Sequence, residues 1–396
     1  MYCESQQVRD YVLHNAKDEI SATMHDVANT IFGFSEIAFE ERQSAAYLAD
    51  LLESGGLSVT RDYCEMPTSF RAEMYGPRPG PTVALVAEYD ALPKIGHACG
   101  HNLISSCTIG AALALKSVMK DLPGRIVVIG APAEESGGGK AFLVERGAFK
   151  DVDAAFIAHP SNRTFIAARA LAWEPLRMKF YGKPAHAGSA PHEGVNALNA
   201  IIETFNSINA LRQHVTSDVR VHGIITHGGD AVNVVPAFTQ GDFLVRAGTV
   251  DHLKETVKRV KACATGAALS AGATVEFEQT GPIYEPVKGN RPLEEAMARN
   301  LEAVGVPYAM GGSEVNMGST DVGNVSQAIP ALHPLYAISG PEVISHTLEF
   351  ARASDSEFAL ERTRDVAIAM ALTCVDVLCD AGLLGRVKDA FAAEVQ

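Results

Sequence analysis

The chain has 396 residues, of which 47% are hydrophobic and 20% are charged, and its formal net charge is -14. This length predicts two or three domains, and the composition is typical of a globular protein with sizeable cores. The excess of acidic residues argues against nucleic acid and anionic membranes as partners, because both bind basic surfaces.

The N-terminal segment mixes charged and apolar positions, without the basic start and apolar core of a signal peptide. No uninterrupted apolar stretch approaches the roughly 20 residues that span a bilayer. The seven cysteines are odd in number and scattered, without the spacing of a disulfide framework. We therefore expect a cytoplasmic protein with reduced cysteines.

The first part of the chain predicts helices and three buried strands. Apolar spacing predicts helices over residues 8–31, 42–54 and 103–119. The runs 82–87, 125–130 and 154–158 are apolar throughout, as expected for strands that are covered on both faces. The alternation of strand and helix predicts an α/β fold with a mostly parallel sheet flanked by helices.

Each of these three runs is followed by polar side chains that can bind a metal ion. Glu88 and Asp90 follow the first run, Glu134 and Glu135 follow the second, and His159 follows the third. The carboxyl ends of parallel strands form the ligand crevice of an open sheet. One such residue alone is more often structural, but three strand ends of this kind together indicate a functional site.

From Trp173 onward the pattern of elements changes. Strands are predicted over 175–181, 220–226, 238–248 and 274–280, and helices over 196–211 and 250–271. The order strand, helix, strand, strand, helix, strand is typical of a compact α+β sandwich. We therefore predict an inserted domain at residues 173–283, with residues 1–172 and 284–396 together forming the other domain.

Three potential metal donors, His97, Cys99 and His101, lie within one glycine-containing loop just before an apolar helix. Thiolate and imidazole groups suit zinc and similar borderline ions. A buried cysteine beside a structural histidine is the alternative for any one of them, but the cluster favours a metal site.

The adjacent carboxylates Glu134 and Glu135 lie between an apolar strand and a glycine run. In an irregular loop one can bind metal while the other holds the attacking water, and the alternative is a solvated acidic pair. The glycine run followed by Lys140 is not a phosphate loop, because Glu134 stands where the first glycine is required and Ala141 replaces the Ser/Thr.

His186, Asn233 and Arg246 lie in the inserted segment and carry no distinctive spacing of their own. On the residues alone, they can equally be a surface turn histidine, a turn residue and an ordinary strand charge.

Taken in order, these segments resemble the aminoacylase and glutamate-carboxypeptidase family of two-metal peptidases, metallopeptidase family 20. More narrowly, they resemble its amidohydrolase branch, in which a cysteine replaces the usual bridging aspartate. The resemblance runs nearly end to end, and its most specific segments are 88–93, 97–102, 133–135, 182–186 and 318–325. The last segment, with 332–334 and 346–350, is similar to p-aminobenzoyl-glutamate hydrolases and related dipeptidases.

The resemblance implies a role for each matching residue. Cys99 would be the bridging thiolate, and the other metal ligands would be His101, Glu135, His159 and His346. Glu134 would be the general base, while Asp90 and His97 would lie behind the ligands. His186 matches a histidine that reaches the neighbouring subunit's active site and polarises the scissile carbonyl. Asn233 and Arg246 match residues that hold the substrate, with Arg246 gripping a carboxylate.

The activity that the resemblance implies is metal-dependent hydrolysis of an amide or peptide bond in a small N-acyl amino acid or dipeptide. Two divalent ions are expected, Mn²⁺ or Zn²⁺ first and Co²⁺ or Ni²⁺ as alternatives. The inserted domain is expected to act as a lid and to form a homodimer. Hydrolysis of an auxin-type or carbamoyl conjugate stays open, as does a catalytically silent, metal-stabilised binding subunit.

Two positions depart from the family pattern. Most members have His where Glu88 stands, although Glu88 is expected in the sub-branch that this chain resembles. Most members of the branch have Asp where Asn102 stands, so a potential acceptor behind the metal ligands is missing, which bears on metal preference.

Overall fold

The computed structural model describes residues 5–311 and 318–393. Contacts divide the chain into two compact units. The main unit comprises residues 5–169, 287–311 and 320–393, and the inserted unit comprises residues 170–286 with Gly318 and Ser319.

The elements follow in chain order. The helices are α1 (Ser5–His14), α2 (Ala16–Phe34), α3 (Arg42–Ser54), α4 (His101–Val118), α5 (Gly139–Glu145), α6 (Ala197–Leu211), α7 (Val250–Ser270), α8 (Arg291–Ala303), α9 (Val322–Ala328), α10 (Leu348–Ala353), α11 (Glu357–Cys379) and α12 (Ala381–Ala393). The strands are β1 (Ser58–Arg61), β2 (Phe70–Tyr75), β3 (Arg78–Ala87), β4 (Pro123–Gly130), β5 (Ala154–Phe156), β6 (His159–Ser161), β7 (Ala172–Tyr181), β8 (Arg220–His227), β9 (Phe238–Ala247), β10 (Thr274–Gln279), β11 (Ala331–Leu332) and β12 (Leu335–Ala337).

The main unit is built on a six-stranded sheet in the order β1-β2-β4-β3-β5-β11. The pairs β4-β3, β3-β5 and β5-β11 are parallel, whereas β2 is antiparallel to both β1 and β4. The predicted α/β fold with a mostly parallel, helix-flanked sheet is confirmed. The strands β1 and β2 were not predicted, and they add an antiparallel edge.

Strand β3 shows why the central runs are apolar throughout. Val83 and Leu85 belong to one hydrophobic core, which also contains residues of α2, α4 and α11. Ala84 and Val86 belong to a second core on the other face, with residues of α5 and α9. Because successive side chains of a strand point to opposite faces, both faces of this strand are buried.

The prediction of one helix over residues 8–31 was wrong at Asn15. Helix α1 ends at His14 and α2 begins at Ala16, although Val8 and Ile20 lie in the same core. The apolar stripe therefore continues across the break, which is why the spacing alone did not reveal it. Asparagine favours helix ends because its side chain competes for backbone hydrogen bonds.

Residues 101–121, which include α4, are long and apolar enough to cross a membrane by length and composition. However, 83% of that window is buried inside the protein, so core packing accounts for its apolar character. The pair α11 and α12 meets the same criterion only when taken together across a bend of 96°.

The inserted unit contains an antiparallel sheet in the order β10-β7-β9-β8. Leu176, Met178 and Phe180 of β7 are buried in a core with residues of α6 and α7. Because side chains alternate along a strand, Trp173 lies on the face of the sheet opposite this core. The predicted order of strands and helices is the one found.

Candidate active site

The carboxyl ends of the central strands carry the polar residues of the site. Asp90 comes shortly after β3, Glu134 and Glu135 come shortly after β4, and His159 is the first residue of β6. His346 lies before α10 and has a left-handed backbone, with φ of 65°. The parallel arrangement of β3, β4 and β5 therefore brings residues from distant parts of the chain to one edge of the sheet.

Three groups of potential metal-binding atoms lie at this edge, and within each group the atoms lie within 4.8 Å of one another. The groups are Cys99, His101 and His159; Cys99, Glu135 and His346; and His101, Glu134 and Glu135. The first two groups share the Cys99 thiol, which therefore lies between two sets of donors. Each of these groups could hold a divalent ion, and Cys99 is available to two of them.

Asp90 orients two members of the cluster. His101 donates from Nδ1 to Asp90 Oδ1 at 2.9 Å, which leaves Nε2 facing the other donors. The backbone N–H of Glu135 donates to Asp90 Oδ2, also at 2.9 Å. A carboxylate behind a histidine ligand fixes the tautomer and the ring direction.

Backbone hydrogen bonds orient the ring of His159 and fix the main chain of His346. His159 donates from Nδ1 to the carbonyl oxygen of Pro160 at 2.6 Å, and its Nε2 lies 3.5 Å from Cys99 Sγ. The backbone N–H of His346 donates to the carbonyl oxygen of Ala98 at 2.8 Å. His346 Nε2 lies 3.4 Å from Glu135 Oε2, and its side chain is 53% exposed, so this end of the cluster is open to solvent.

The chemistry of these residues fits divalent ions. Among the described residues, His101 Nε2 and Glu135 Oε1 are buried without a hydrogen-bond partner. The pKa of Glu134 lies well above its ordinary value, mainly because the carboxyl group is buried and secondly because Glu88 and Glu135 are negatively charged neighbours. A cation relieves this crowding of carboxylates, and a mixture of thiolate, imidazole and carboxylate suits borderline divalent metals.

His97 and Asn102 face away from the cluster. His97 Nε2 lies 2.9 Å from the carbonyl oxygen of Ile31, and burial lowers its pKa to about 4. Asn102 Nδ2 donates to the carbonyl oxygen of Ser354 at 3.1 Å. Both side chains therefore hold neighbouring backbone, and neither belongs to the three donor groups.

Lys140 lies beside the site and was not predicted to take part in it. Its Nζ is 2.6 Å from Asp321 Oδ1 and 2.9 Å from Glu88 Oε1, and all three side chains are fully buried. Glu88 Oε2 in turn lies 3.6 Å from His101 Nε2. The glycine run before Lys140 was the sequence feature that could have indicated this position, because it lets α5 begin close to the end of β4.

Glu41 is a second residue that the sequence did not single out. It is fully buried and accepts a hydrogen bond from the backbone N–H of Ala133, directly before the Glu134–Glu135 pair. Nothing in the local sequence distinguishes it from Glu40, which is exposed. Only the tertiary structure shows which of the two carboxylates faces inward.

In the inserted unit, His186 and Asn233 lie in adjacent loops. The backbone N–H of Ala187 donates to the carbonyl oxygen of Asn233 at 3.0 Å. His186 is exposed, and its Nδ1 accepts hydrogen bonds from the backbone N–H groups of Gly188 and Ser189, both at 3.1 Å. A ring nitrogen that accepts a hydrogen bond carries no proton, so in this arrangement the ring proton is on Nε2.

Arg246 lies opposite Trp173 across the β7–β9 pair. The guanidinium carbon is 5.1 Å from the indole ring centre, and Nη1 donates to Ser319 Oγ at 3.1 Å. Burial lowers the pKa of Arg246. Stacking on the ring holds the guanidinium in one place. The sequence did not indicate Trp173, the only tryptophan in the chain, as the partner of Arg246.

Comparison with known proteins places this geometry in a family. Residues 84–367 match the model of "Peptidase family M20/M25/M40". The "Xaa-Arg dipeptidase" of Mus musculus is 35% identical over 393 residues, covering 96% of this chain and 91% of that protein. One of the p-aminobenzoyl-glutamate hydrolase subunits of Escherichia coli is 32% identical over 439 residues, covering 91% of this chain and 90% of that protein.

Solved structures share the fold. A dinuclear metal-binding peptidase of the M20 family from Bacillus subtilis matches with a TM-score of 0.69 and 20% identity, covering 91% of this chain and 99% of that one. The aminobenzoyl-glutamate utilization protein of Klebsiella pneumoniae matches with a TM-score of 0.70 and 21% identity, covering 94% and 98%.

Proposed function

This chain belongs to peptidase family M20/M25/M40, a family of metal-dependent hydrolases of peptide and amide bonds, and we propose that it is a dipeptidase. The observation that carries the proposal is the linked pair of donor groups that share Cys99. In this proposal Cys99, His101, Glu135, His159 and His346 bind two divalent ions, and Glu134 is the general base.

The residues of the main unit supply binding and proton transfer. Divalent ions, when bound, would lower the pKa of water to about 7 and polarise a carbonyl group. Glu134 Oε2 lies 3.9 Å from His101 Nε2, so the carboxylate is close to the proposed metal ligands. In our proposal Glu134 takes the proton of the attacking water and returns it to the leaving amine, a service that is typically worth about 10²–10⁴-fold in rate.

The residues of the inserted unit would recognise the substrate. His186 holds its proton on Nε2, since its Nδ1 accepts two backbone hydrogen bonds, so it can donate to the developing oxyanion. Arg246, stacked on Trp173, has donors left over after its bond to Ser319 and can take a carboxylate. The guanidinium of Arg246 favours a substrate with a free C-terminal carboxylate.

We also propose a homodimer formed through the inserted unit. Within the described residues β8 is an edge strand, since it pairs with β9 alone. It carries two exposed isoleucines, Ile224 at 65% and Ile225 at 40%. An exposed apolar edge strand is a template for pairing with another chain, and a second copy of the same edge can supply a symmetric partner.

A substrate panel tests the proposed activity. Metal-supplemented protein is offered Xaa-Arg dipeptides, β-alanyl dipeptides, p-aminobenzoyl-glutamate and N-acetyl amino acids, each also as its C-terminal amide. We expect dipeptides to have the highest kcat/KM and their amides to lose about tenfold or more, because the carboxylate contact is lost. If p-aminobenzoyl-glutamate is the preferred substrate, it replaces dipeptides in the proposed function. If none of the compounds in the panel is hydrolysed, the proposed amide hydrolysis is refuted.

Mixing two inactive variants tests the dimer and the role of His186. In a symmetric dimer that shares His186 across subunits, a mixture of His186→Ala and Glu134→Gln chains restores one complete site in each mixed dimer. Random pairing of equal amounts then recovers about one quarter of the wild-type activity. A mixture as inactive as its components, with exchange of subunits verified, would contradict the shared site.

A further inference from the structure

The segment that joins α2 to α3, residues 35–41, lies against the loops that follow β3 and β4. The carbonyl oxygen of Glu36 accepts a hydrogen bond from the backbone N–H of Ala91 at 2.7 Å, directly after Asp90. Ile37 forms a parallel bridge with the same residue. This segment therefore holds the loop that carries Asp90.

Glu41 makes the corresponding contact with the loop after β4. Its Oε1 accepts a hydrogen bond from the backbone N–H of Ala133 at 2.8 Å. The carbonyl oxygen of Ala133 accepts from the N–H groups of Gly137 and Gly138, at 3.1 and 2.7 Å. Both backbone polar groups of Ala133 are thus fixed, the N–H by Glu41 and the carbonyl oxygen by the glycine run.

Ala133 needs this support because its backbone is left-handed, with φ of 60°. A residue with a Cβ atom disfavours this conformation, which persists only where the surroundings over-determine it. Packing adds to the constraint: a Cβ atom built on Gly137 would lie 2.7 Å from the Ala133 Cβ and 2.4 Å from the Phe39 ring. Gly137 therefore packs closely against both Ala133 and Phe39, so the turn is in direct contact with the segment 35–41.

We propose that Glu41 is a positioning residue for catalysis: by holding the N–H of Ala133, it sets the direction in which Glu134 and Glu135 leave the strand. Its effect on turnover rests on the proposed function, in which Glu134 moves a proton and Glu135 binds metal. Among the described residues, Glu41 belongs to none of the three groups of metal-binding atoms. Through Ala133 it determines where both of those carboxylates point.

The hydrogen-bond acceptor, and not the negative charge, is the feature that matters. Burial, followed by the charge of Asp90, raises the pKa of Glu41 to about 7. A carboxyl group keeps an oxygen that can accept from Ala133 whether or not it is protonated. Glutamine at this position keeps the reach and the acceptor without the charge, whereas aspartate keeps the charge and loses the reach.

Three variants separate these features. Glu41→Asp is expected to lower kcat about tenfold or more with KM within about twofold, since a small misplacement of catalytic groups is costly to the chemical step. Glu41→Gln is expected to restore most of the wild-type kcat. Glu40→Asp, one residue away on the exposed side, is the matched control and is expected to behave as wild type.

Amide hydrogen exchange of the peptide that contains residues 131–139 gives a readout that needs neither metal nor activity. In metal-free protein, exchange at this peptide should be faster in Glu41→Asp than in wild type, and close to wild type in Glu41→Gln and Glu40→Asp. If the wild-type protein hydrolyses none of the compounds in the substrate panel, the proposed function fails. The exchange data still decide whether Glu41 holds Ala133.

Two results would overturn the proposal. One is unchanged exchange and unchanged kcat in Glu41→Asp, which would mean that Ala133 is held without Glu41. The other is a Glu41→Gln variant as impaired as Glu41→Asp, which would mean that the charge acts and the hydrogen bond does not.

Discussion

Replacing Lys140 with methionine is expected to destabilise the main unit strongly. Its ammonium group lies between Asp321 and Glu88, 2.6 and 2.9 Å away, and all three side chains are fully buried. Methionine fills similar space but leaves two carboxylates without their partner. Removing one member of a buried ion pair typically costs about 3–5 kcal/mol, because the remaining charge is uncompensated.

The chain offers a matched control for this substitution. Lys388 makes an ion pair of the same length, 2.6 Å to Asp153 Oδ1, but its side chain is 53% exposed. Water screens such a pair, so Lys388→Met is expected to cost about 0–1 kcal/mol. The two lysines therefore have the same shortest ion-pair distance and differ in burial, and Lys140 has Glu88 as a second carboxylate partner.

Urea unfolding of the metal-free protein measures both costs. Far-UV circular dichroism follows the helices, and the fluorescence of Trp173, the only tryptophan, follows the inserted unit separately. We expect Lys140→Met to lower the free energy of unfolding that is measured by circular dichroism. If the inserted unit unfolds separately, its fluorescence transition should not change. A loss below about 1 kcal/mol, or no larger than that of Lys388→Met, would refute the reasoning from burial.

Three further predictions concern single residues. Because the pKa of Glu41 rises from 4.5 to about 7 on folding, the Glu41 contribution to wild-type stability is lost as pH rises through that window. Relative to wild type, metal-free Glu41→Gln should therefore gain on the order of 2–3 kcal/mol between about pH 5 and pH 8. Arg246→Lys should raise KM about tenfold for dipeptides with a free carboxylate and leave KM for their amides unchanged, because lysine lacks the planar fork; equal effects on both would contradict carboxylate binding. Gly137→Ala should lower the stability measured by thermal unfolding by about 1–3 kcal/mol, because its Cβ would lie 2.4 Å from the Phe39 ring. Gly266→Ala is the control: its Cβ would lie in open space on α7, and it should raise the stability by about 0.5–1 kcal/mol.

The sequence predicted the central strands well because their apolar character has a single cause. Each of β3, β4 and β5 is buried on both faces, and the polar residues that follow them are the ones that meet at the sheet edge. Strand β2 was missed for the opposite reason. It is buried but contains Arg71 and Glu73, whose ion pair at 2.8 Å breaks the apolar pattern that marks a buried strand.

The supporting residues of the site depend on contacts that no local pattern reveals. The bond from Ala133 to Glu41 spans 92 positions, and that from Lys140 to Asp321 spans 181. Trp173 is identified as a partner of Arg246 only once the register of β7 against β9 is known. The resemblance to a family named the metal-binding candidates, but long-range pairing shows which residues hold them in place.

Metal titration of the wild type and of Glu134→Gln tests the central claim most directly. Metal-free samples receive Mn²⁺ or Zn²⁺ stepwise, and bound metal and dipeptide hydrolysis are measured at each step. We expect both proteins to bind about two equivalents per chain, with wild-type turnover rising alongside and Glu134→Gln remaining at least about 100-fold less active. Binding of less than about one equivalent by wild type, or full turnover by Glu134→Gln, would contradict the two-metal site with Glu134 as its base.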